Sequence, residues 1–401
     1  MITWLFDNRN QHSFLPNLIT DKTLEPGTDA WYDLCINPPY SYEFRFLKYC
    51  ILDKVPFKCA LTTTDSYESP AYYPVNLNFF DTNIDYFSLM KPSSLEALQK
   101  GKFKFLFYYS EGDNVLSSGI DEHIQRLIKK HNLSRENVVC IIANALADKH
   151  PYIYFPDDEL YYRMLHLRSK DWIQEVSLNP RPFNITYLNR ADKVWRRVLA
   201  SVLYDLGCLR NAQFSYTGYK YETSSIEEDD IKNWHLFRNN LLEAISAFSL
   251  NIPYTCDDLS ISEHNNHKYI HKPHFTDSYW QLIAETHFAQ DTVFLTEKTF
   301  KCILNLQPFV IAGSPNSIKL LKTLGYRTFS KVIREAYDDE QDPQERMQEI
   351  VNCVYSLSQR NDLEHIEILK IIKADLEYNQ KLFLSPKVQR IQNLLTRLDY
   401  T

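Results

Sequence analysis

Between residues 103 and 143 the chain passes from one short apolar run to another through a single amphipathic stretch, and this succession constrains the fold most. The runs Phe103 to Tyr109 and Val138 to Ala143 have strand length. Between them, Asp121 to His131 (DEHIQRLIKKH) sets Ile124, Leu127 and Ile128 on one helical face, so the segment reads as a βαβ unit. The N-terminal Met1 to Asp7 also reads as a short strand, and Trp31 to Ile36 as another. Apolar runs alternating with helical stretches and polar turns predict an α/β class.

A second beginning follows. A helix reaching Trp172 is broken by the two prolines of Ser177-Leu178-Asn179-Pro180-Arg181-Pro182. A strand then starts at Phe183 and runs to Leu188, and Asp192 to Leu206 carries Val194, Trp195, Val198, Leu199, Val202, Leu203 and Leu206 at helical spacing, with Gly207 available as its cap. With 401 residues, two domains of ordinary size are expected. The pattern predicts a first Rossmann-like domain over 1–178, a second over 179–360, and a helical tail over 361–401 packing back toward the first. Residues 217 to 275 are polar and irregular apart from a helix expected from Glu228 to Phe248. The tail is broken near Ser385-Pro386, and no internal repeat is evident.

Composition narrows the partners. Hydrophobic residues make up 44% and charged residues 24%, and no apolar run approaches the ~20 residues of a membrane helix. The N-terminus lacks the basic and long apolar regions of a signal peptide, so a cytoplasmic protein is expected. The net charge of −7 disfavours a large electrostatic footprint on nucleic acid. The eight cysteines, Cys35, Cys50, Cys59, Cys140, Cys208, Cys256, Cys302 and Cys353, are dispersed without C-x-x-C spacing and read as buried thiols. Only 8 glycines occur, and neither G-x-G-x-x-G nor G-x-x-x-x-G-K-[ST] is present, so a phosphate cradle must be built differently.

The block Phe294-Leu295-Thr296-Glu297-Lys298-Thr299-Phe300, followed by Gln307-Pro308-Phe309-Val310-Ile311-Ala312-Gly313, offers such a cradle. It reads as a strand end, a helix start bearing a carboxylate and an ammonium, and a second buried strand. A carboxylate can accept from two ribose hydroxyls, while a lysine and free N–H groups at a helix N-terminus can hold a diphosphate. Thr before Glu at a first turn is also an ordinary N-cap. The order of the block resembles glycosyltransferases with two facing Rossmann-like domains (GT-B), and more narrowly the C-terminal donor domain of the fucosyltransferases. The resemblance spans about residues 183–330, its specific part Thr296 to Gly313. It implies that Thr296, Glu297 and Lys298 belong to the donor site, with Glu297 on the ribose and Lys298 on the phosphates. It also implies that Arg190, just after the opening strand, lies near the diphosphate, though a surface or helix-dipole role is an equal alternative. Where that family follows Glu-Lys with a small-residue helix, this chain has Thr299-Phe300-Lys301-Cys302, which leaves base and sugar open.

Glu111-Gly112-Asp113 ends the strand Phe103 to Tyr109, where α/β sites commonly form. Glu111, and after it Asp113, is the candidate base that deprotonates an acceptor hydroxyl. The alternatives are a turn in which Asp113 accepts from backbone N–H groups, or the acidic metal motif of single-domain glycosyltransferases (GT-A). His264, His267, His271 and His274 have the spacing of metal ligands on a helix, but Asn265-Asn266 and Pro273 oppose a helix there and no cysteine or paired acidic residue completes the set, so the run reads instead as a polar loop near the donor, with one histidine available to touch phosphate. Asp157-Asp158-Glu159 and Asp338-Asp339-Glu340 read as solvated helix-start charges. Aromatic residues make up 14%, and most read as core, with Tyr72-Tyr73 and Tyr161-Tyr162 the candidates to stack on a sugar or base if exposed.

The expectation is therefore a metal-independent, inverting glycosyltransferase without a cofactor, using a nucleotide-sugar donor and a saccharide or lipid-linked glycan acceptor. A glycosyltransferase acting on a modified base in DNA, and a non-catalytic nucleotide-binding protein of the same fold, are the alternatives.

Overall fold

The computed structural model describes residues 2–6, 45–62, 67, 69–77, 80–148, 151–167, 171–219, 234, 241–259 and 269–399. The chain forms two compact units, Met1–Leu165 with Pro386–Thr401, and His166–Ser385. The first carries β1 (Thr3–Phe6), α1 (Arg45–Leu52), β2 (Lys58–Leu61), β3 (Ala71–Leu77), α2 (Pro92–Gln99), β4 (Lys104–Tyr109), α3 (Ile120–Lys130), β5 (Val138–Ile142), β6 (Tyr152–Tyr154) and α4 (Asp157–His166), the last residue of α4 opening the second unit. The second carries β7 (Phe183–Ala191), α5 (Val194–Asp205), β8 (Ala212–Tyr219), α6 (Leu241–Ser249), α7 (Pro273–Thr276), β9 (Ser278–Ala284), α8 (Glu297–Leu304), β10 (Phe309–Ala312), α9 (Ser317–Thr323), α10 (Pro343–Ser358) and α11 (Asp362–Leu384). The final helix, α12 (Val388–Asp399), returns to the first. The sequence reading sets its boundary at 178/179 and a single tail at 361–401; the compact units divide at Leu165/His166 and Ser385/Pro386, which separates α11 from α12.

Among the described residues of the first unit six parallel strands lie in the order β2-β1-β3-β4-β5-β6. A parallel sheet covered on both faces needs strands that are apolar throughout, and β4 meets that need. Leu106 and Tyr108 face one core with Trp4, Phe46, Tyr72, Val139, Leu160 and, from α12, Ile391, Leu394 and Leu398. Phe105, Phe107 and Tyr109 face the other with Tyr73, Cys140, Leu98, Ile124 and Leu127. The βαβ expectation over 103–143 is thus met, with α3 burying Ile124, Leu127 and Ile128. Trp31 to Ile36 lies outside the described residues.

Burial corrects two expectations here. Asp157 does open a helix, but it is 2% exposed, accepting from Arg45 Nη1 at 2.8 Å, the Tyr49 hydroxyl at 2.8 Å, and the Tyr108 hydroxyl. Glu159 is fully buried and pairs with Lys387 at 3.2 Å and with Arg390. Asp53 receives Arg163 through both guanidinium nitrogens, at 2.8 and 3.0 Å, and also the Lys387 backbone N–H at 2.8 Å. Buried carboxylates persist only when paired, and these pairs tie the start of α12 to α1 and α4. Tyr72, Tyr73 and Tyr162 are buried, so they are core residues and not stacking platforms; the Tyr72 hydroxyl donates to the Leu398 carbonyl at 2.6 Å.

In the second unit four parallel strands lie in the order β10-β9-β7-β8. The first strand, β7, is flanked by β8 on one side and β9 on the other, so the chain reverses its winding between β7 and β9. Ligands of open α/β sheets bind at such a reversal, outside the carboxyl ends of the strands. Helix α5 buries Val198, Leu199, Val202 and Leu203 and ends as predicted, with Gly207 at φ +73° just beyond it, a conformation other residues adopt at a cost. Trp172 lies in irregular chain, not in a helix, and of the helix expected over 228–248 the described part is α6, the remainder except Trp234 lying outside the described residues. Among the described residues no helix is long and apolar enough to cross a membrane.

Candidate functional site

The carboxyl ends of β7 and β9 are neighbours in the second sheet, with Arg190 at the end of one and Thr296, Glu297 and Lys298 tied to the end of the other. Arg190 lies within β7 and not after it, at the strand's penultimate position, half-buried. Thr296 is the N-cap of α8, its side chain accepting from the Lys298 N–H at 3.4 Å, and Glu297 and Lys298 form the first turn. Phe300 and Ile303 are buried beneath them, as their spacing predicts, and Phe300 stacks on Phe383 of α11 at 5.9 Å.

What fixes this helix start is a residue that sequence reasoning missed. Glu285 follows the last residue of β9 and is 1% exposed. Its carboxylate accepts from the Thr296 N–H at 3.1 Å, the Thr296 hydroxyl at 2.6 Å and the Thr299 hydroxyl at 2.7 Å. The Lys298 ammonium donates to the Thr296 hydroxyl oxygen at 2.9 Å and lies 3.8 Å from Glu285 and 3.7 Å from Glu297. A buried acid thus pins the first turn of α8 to the end of β9, with the more exposed Glu297 and Lys298 beside it.

Three more cations brace the chain after β9 by donating to backbone carbonyls. Arg196 reaches those of Ala284 and Glu285 at 3.0 and 2.7 Å, Lys193 that of Thr286 at 2.8 Å, and Arg346 those of Phe288 and, at 3.2 Å, Gly313. Burial holds the Arg346 guanidinium down to about 10, against the pull of Glu340 and Asp342. Gly313, after β10, is closely surrounded: a Cβ there would lie 3.2 Å from Ile311 Cγ2 and Ser317 Oγ and 3.3 Å from Glu285 Cβ. Asn189 in β7 is 3% exposed, and burial raises the pKa of the buried Tyr187 hydroxyl against the smaller, opposing effect of its hydrogen bond with Asn189. Burial, with the charge of nearby Lys298, lowers the pKa of Lys301, one turn further along α8.

No known family model matches the chain, and no curated protein shows significant similarity to it.

Glu111 and Asp113 belong to the first unit, just beyond the carboxyl end of β4 and half-buried. The winding of that sheet reverses between β1 and β3, so β4 is the next strand along. Asp113 accepts from the Tyr109 hydroxyl; burial first, then this bond and the charges of Asp113 and Glu111, raise the tyrosine's pKa. Asp338 proves buried rather than solvated, accepting from the N–H groups of Ile318 at 2.7 Å and Lys319 at 2.9 Å at the start of α9. Of the histidine run, His264 and His267 lie outside the described residues, and His274 sits in α7 with Asp257 Oδ2 2.7 Å from its Nε2.

Proposed function

We propose that the protein is a glycosyltransferase of the GT-B type, with a donor site resembling that of the fucosyltransferases. It moves a sugar from a nucleotide-sugar donor, bound by the second unit, to an acceptor hydroxyl. The observation that carries this reading is the start of α8, pinned by Glu285 beside the β7/β9 reversal and presenting Glu297 and Lys298. Glu297 accepts from the ribose hydroxyls. The N-terminal N–H groups and dipole of α8, together with Lys298 and Arg190, hold the diphosphate. Because the chain after β9 is already braced by Arg196, Lys193 and Arg346, little of it must be ordered when donor binds.

In the reaction the acceptor oxygen attacks the anomeric carbon as the bond from that carbon to the diphosphate breaks, with inversion. Glu111 takes the acceptor proton. Lys298, Arg190 and the α8 N–H groups stabilise the charge that develops on the departing diphosphate, and no metal is required. The acceptor is a saccharide or lipid-linked glycan.

The test is a thermal-shift panel of UDP, GDP, CDP, ADP and dTDP with and without magnesium. A ligand at 100 times its Kd adds about 2.7 kcal/mol to the native state, so selective binding is readily seen. One nucleotide is expected to raise Tm without magnesium, and Glu297→Ala to abolish the rise while leaving the unliganded Tm near wild type. Absence of any shift, or a shift unaffected by Glu297→Ala, refutes the donor site; a shift only with magnesium refutes the metal-independent mechanism.

A further inference from the structure

The fold completes a set of metal-binding groups that the linear sequence leaves incomplete. His274 has no cysteine or carboxylate within the histidine run, but the chain brings Cys256 and Asp257 to it from upstream. Cys256 Sγ, an Asp257 carboxylate oxygen and a His274 ring nitrogen all lie within 4.8 Å of one another. Asp257 Oδ2 is 2.7 Å from His274 Nε2 and 3.6 Å from Cys256 Sγ. A tetrahedral zinc ion with ligands at about 2.0–2.3 Å requires donor atoms roughly 3.3–3.8 Å apart. Small side-chain movements reach that arrangement.

The segments that carry these groups both contact the second sheet. Tyr254, two residues before Cys256, exchanges backbone hydrogen bonds of 2.9 and 3.0 Å with Tyr216 of β8. The Thr186 hydroxyl of β7 lies 3.2 Å from the His274 carbonyl, which shares that hydroxyl's single proton with the nearer Gln213 and Ser278 oxygens. The Leu259 N–H donates to Asp257 Oδ1 at 3.0 Å, which fixes the carboxylate while Oδ2 faces His274. His274 is buried, Cys256 and Asp257 are half-buried, and the His271 ring packs 4.5 Å from that of His274. Without a metal the trio is linked through Asp257 Oδ2, which accepts from the Cys256 thiol at 3.6 Å and lies 2.7 Å from His274 Nε2, so the carboxylate draws both other groups toward one point. A thiolate, a carboxylate and an imidazole together suit zinc among the common divalent ions, since calcium and magnesium prefer all-oxygen sites.

We infer that Cys256, Asp257 and His274 bind one zinc ion, with a fourth position open to water or an external ligand. This site is argued independently of the donor reading, and neither result decides the other. The test uses the full-length protein, stripped with a chelator, exchanged into buffer and titrated with Co2+ as a spectroscopic probe and with Zn2+ against a chromophoric competitor. One equivalent of Co2+ is expected to bind with the visible bands of a tetrahedral site and a near-ultraviolet thiolate charge-transfer band, and Zn2+ to displace it. Cys256→Ser should remove the charge-transfer band. Asp257→Asn should weaken zinc binding by more than the roughly 10- to 100-fold that loss of an outer-sphere partner brings. Failure of the wild type to bind stoichiometric cobalt or zinc overturns the site, as does a charge-transfer band retained in Cys256→Ser. Should the serine variant not fold, the presence or absence of that band in the wild type decides.

Discussion

Removing the Glu285 carboxylate should loosen the start of α8 by an amount that follows from its bonds. Three donors converge on this buried acid, two threonine hydroxyls and one backbone N–H, at 2.6 to 3.1 Å. A hydrogen bond to a charged group is worth about 1.5–3 kcal/mol, and deleting the acceptor strands its donors away from water. Taking the lower figure for each, Glu285→Ala should cost about 4–5 kcal/mol. Glu285→Gln keeps one carbonyl oxygen, loses the charge that roughly doubles bond strength, and turns an NH2 group toward a hydroxyl, so about 2 kcal/mol is expected. Because two compact units need not unfold together, a single melting midpoint would mix their responses. Native-state hydrogen exchange of peptides covering β9 and α8, read by mass spectrometry, reports the local opening free energy instead. The reasoning fails if Glu285→Ala lowers protection there by less than about 1 kcal/mol, or if the two variants are indistinguishable, since the bond arithmetic requires them to differ.

Further outcomes are expected elsewhere. Glu111→Gln should leave nucleotide binding near normal while lowering transfer at least about 100-fold, in the range general-base removal brings; unchanged turnover would remove Glu111 from the reaction. Gly313→Ala should destabilise the second unit by about 1–3 kcal/mol, because the new methyl group meets three close neighbours, and hydrogen-exchange protection over β10 and α9 equal to wild type would show that they yield freely. His365, fully buried and stacked 4.4 Å from the Tyr279 ring, has its pKa lowered from 6.5 to about 4 by burial first and then by Arg360. Below pH 6.5 the unfolded chain takes up a proton that the native state refuses, so stability present above that pH is lost as pH falls toward 4, by about 3 kcal/mol in all. Urea titrations of wild type and His365→Phe between these pH values check this, and parallel pH profiles would refute it.

The elements most legible in sequence are those whose signal is local. β4 announces itself because both its faces are buried, and α3 because Ile124, Leu127 and Ile128 recur at helical spacing. The Thr296 cap and the buried side of α8 are likewise written within eight consecutive residues. Convergence across long separations leaves no such mark. Glu285 stands alone after β9, and its importance appears only when Thr296 and Thr299, 11 and 14 residues on, fold back to it. Asp157 and Glu159 look like solvated helix-start acids until Arg45, Lys387 and Arg390 arrive from distant segments. The same holds for His274, whose cysteine and acid lie 18 and 17 residues upstream.

The return of α12 to the first unit has a consequence for synthesis. The core face holding Trp4, Tyr72, Leu106 and Val139 is closed in part by Ile391, Leu394 and Leu398, which leave the ribosome after the whole of the second unit. The second unit is contiguous in sequence, from His166 to Ser385, and can close as soon as it emerges, whereas the unit begun first must be finished last. Throughout that interval the nascent chain carries an incompletely covered apolar sheet, the kind of surface that chaperones hold and that aggregates when they do not. A chain ending near Pro386 would therefore carry the whole of the second unit while the first still lacked the helix that closes one face of its sheet.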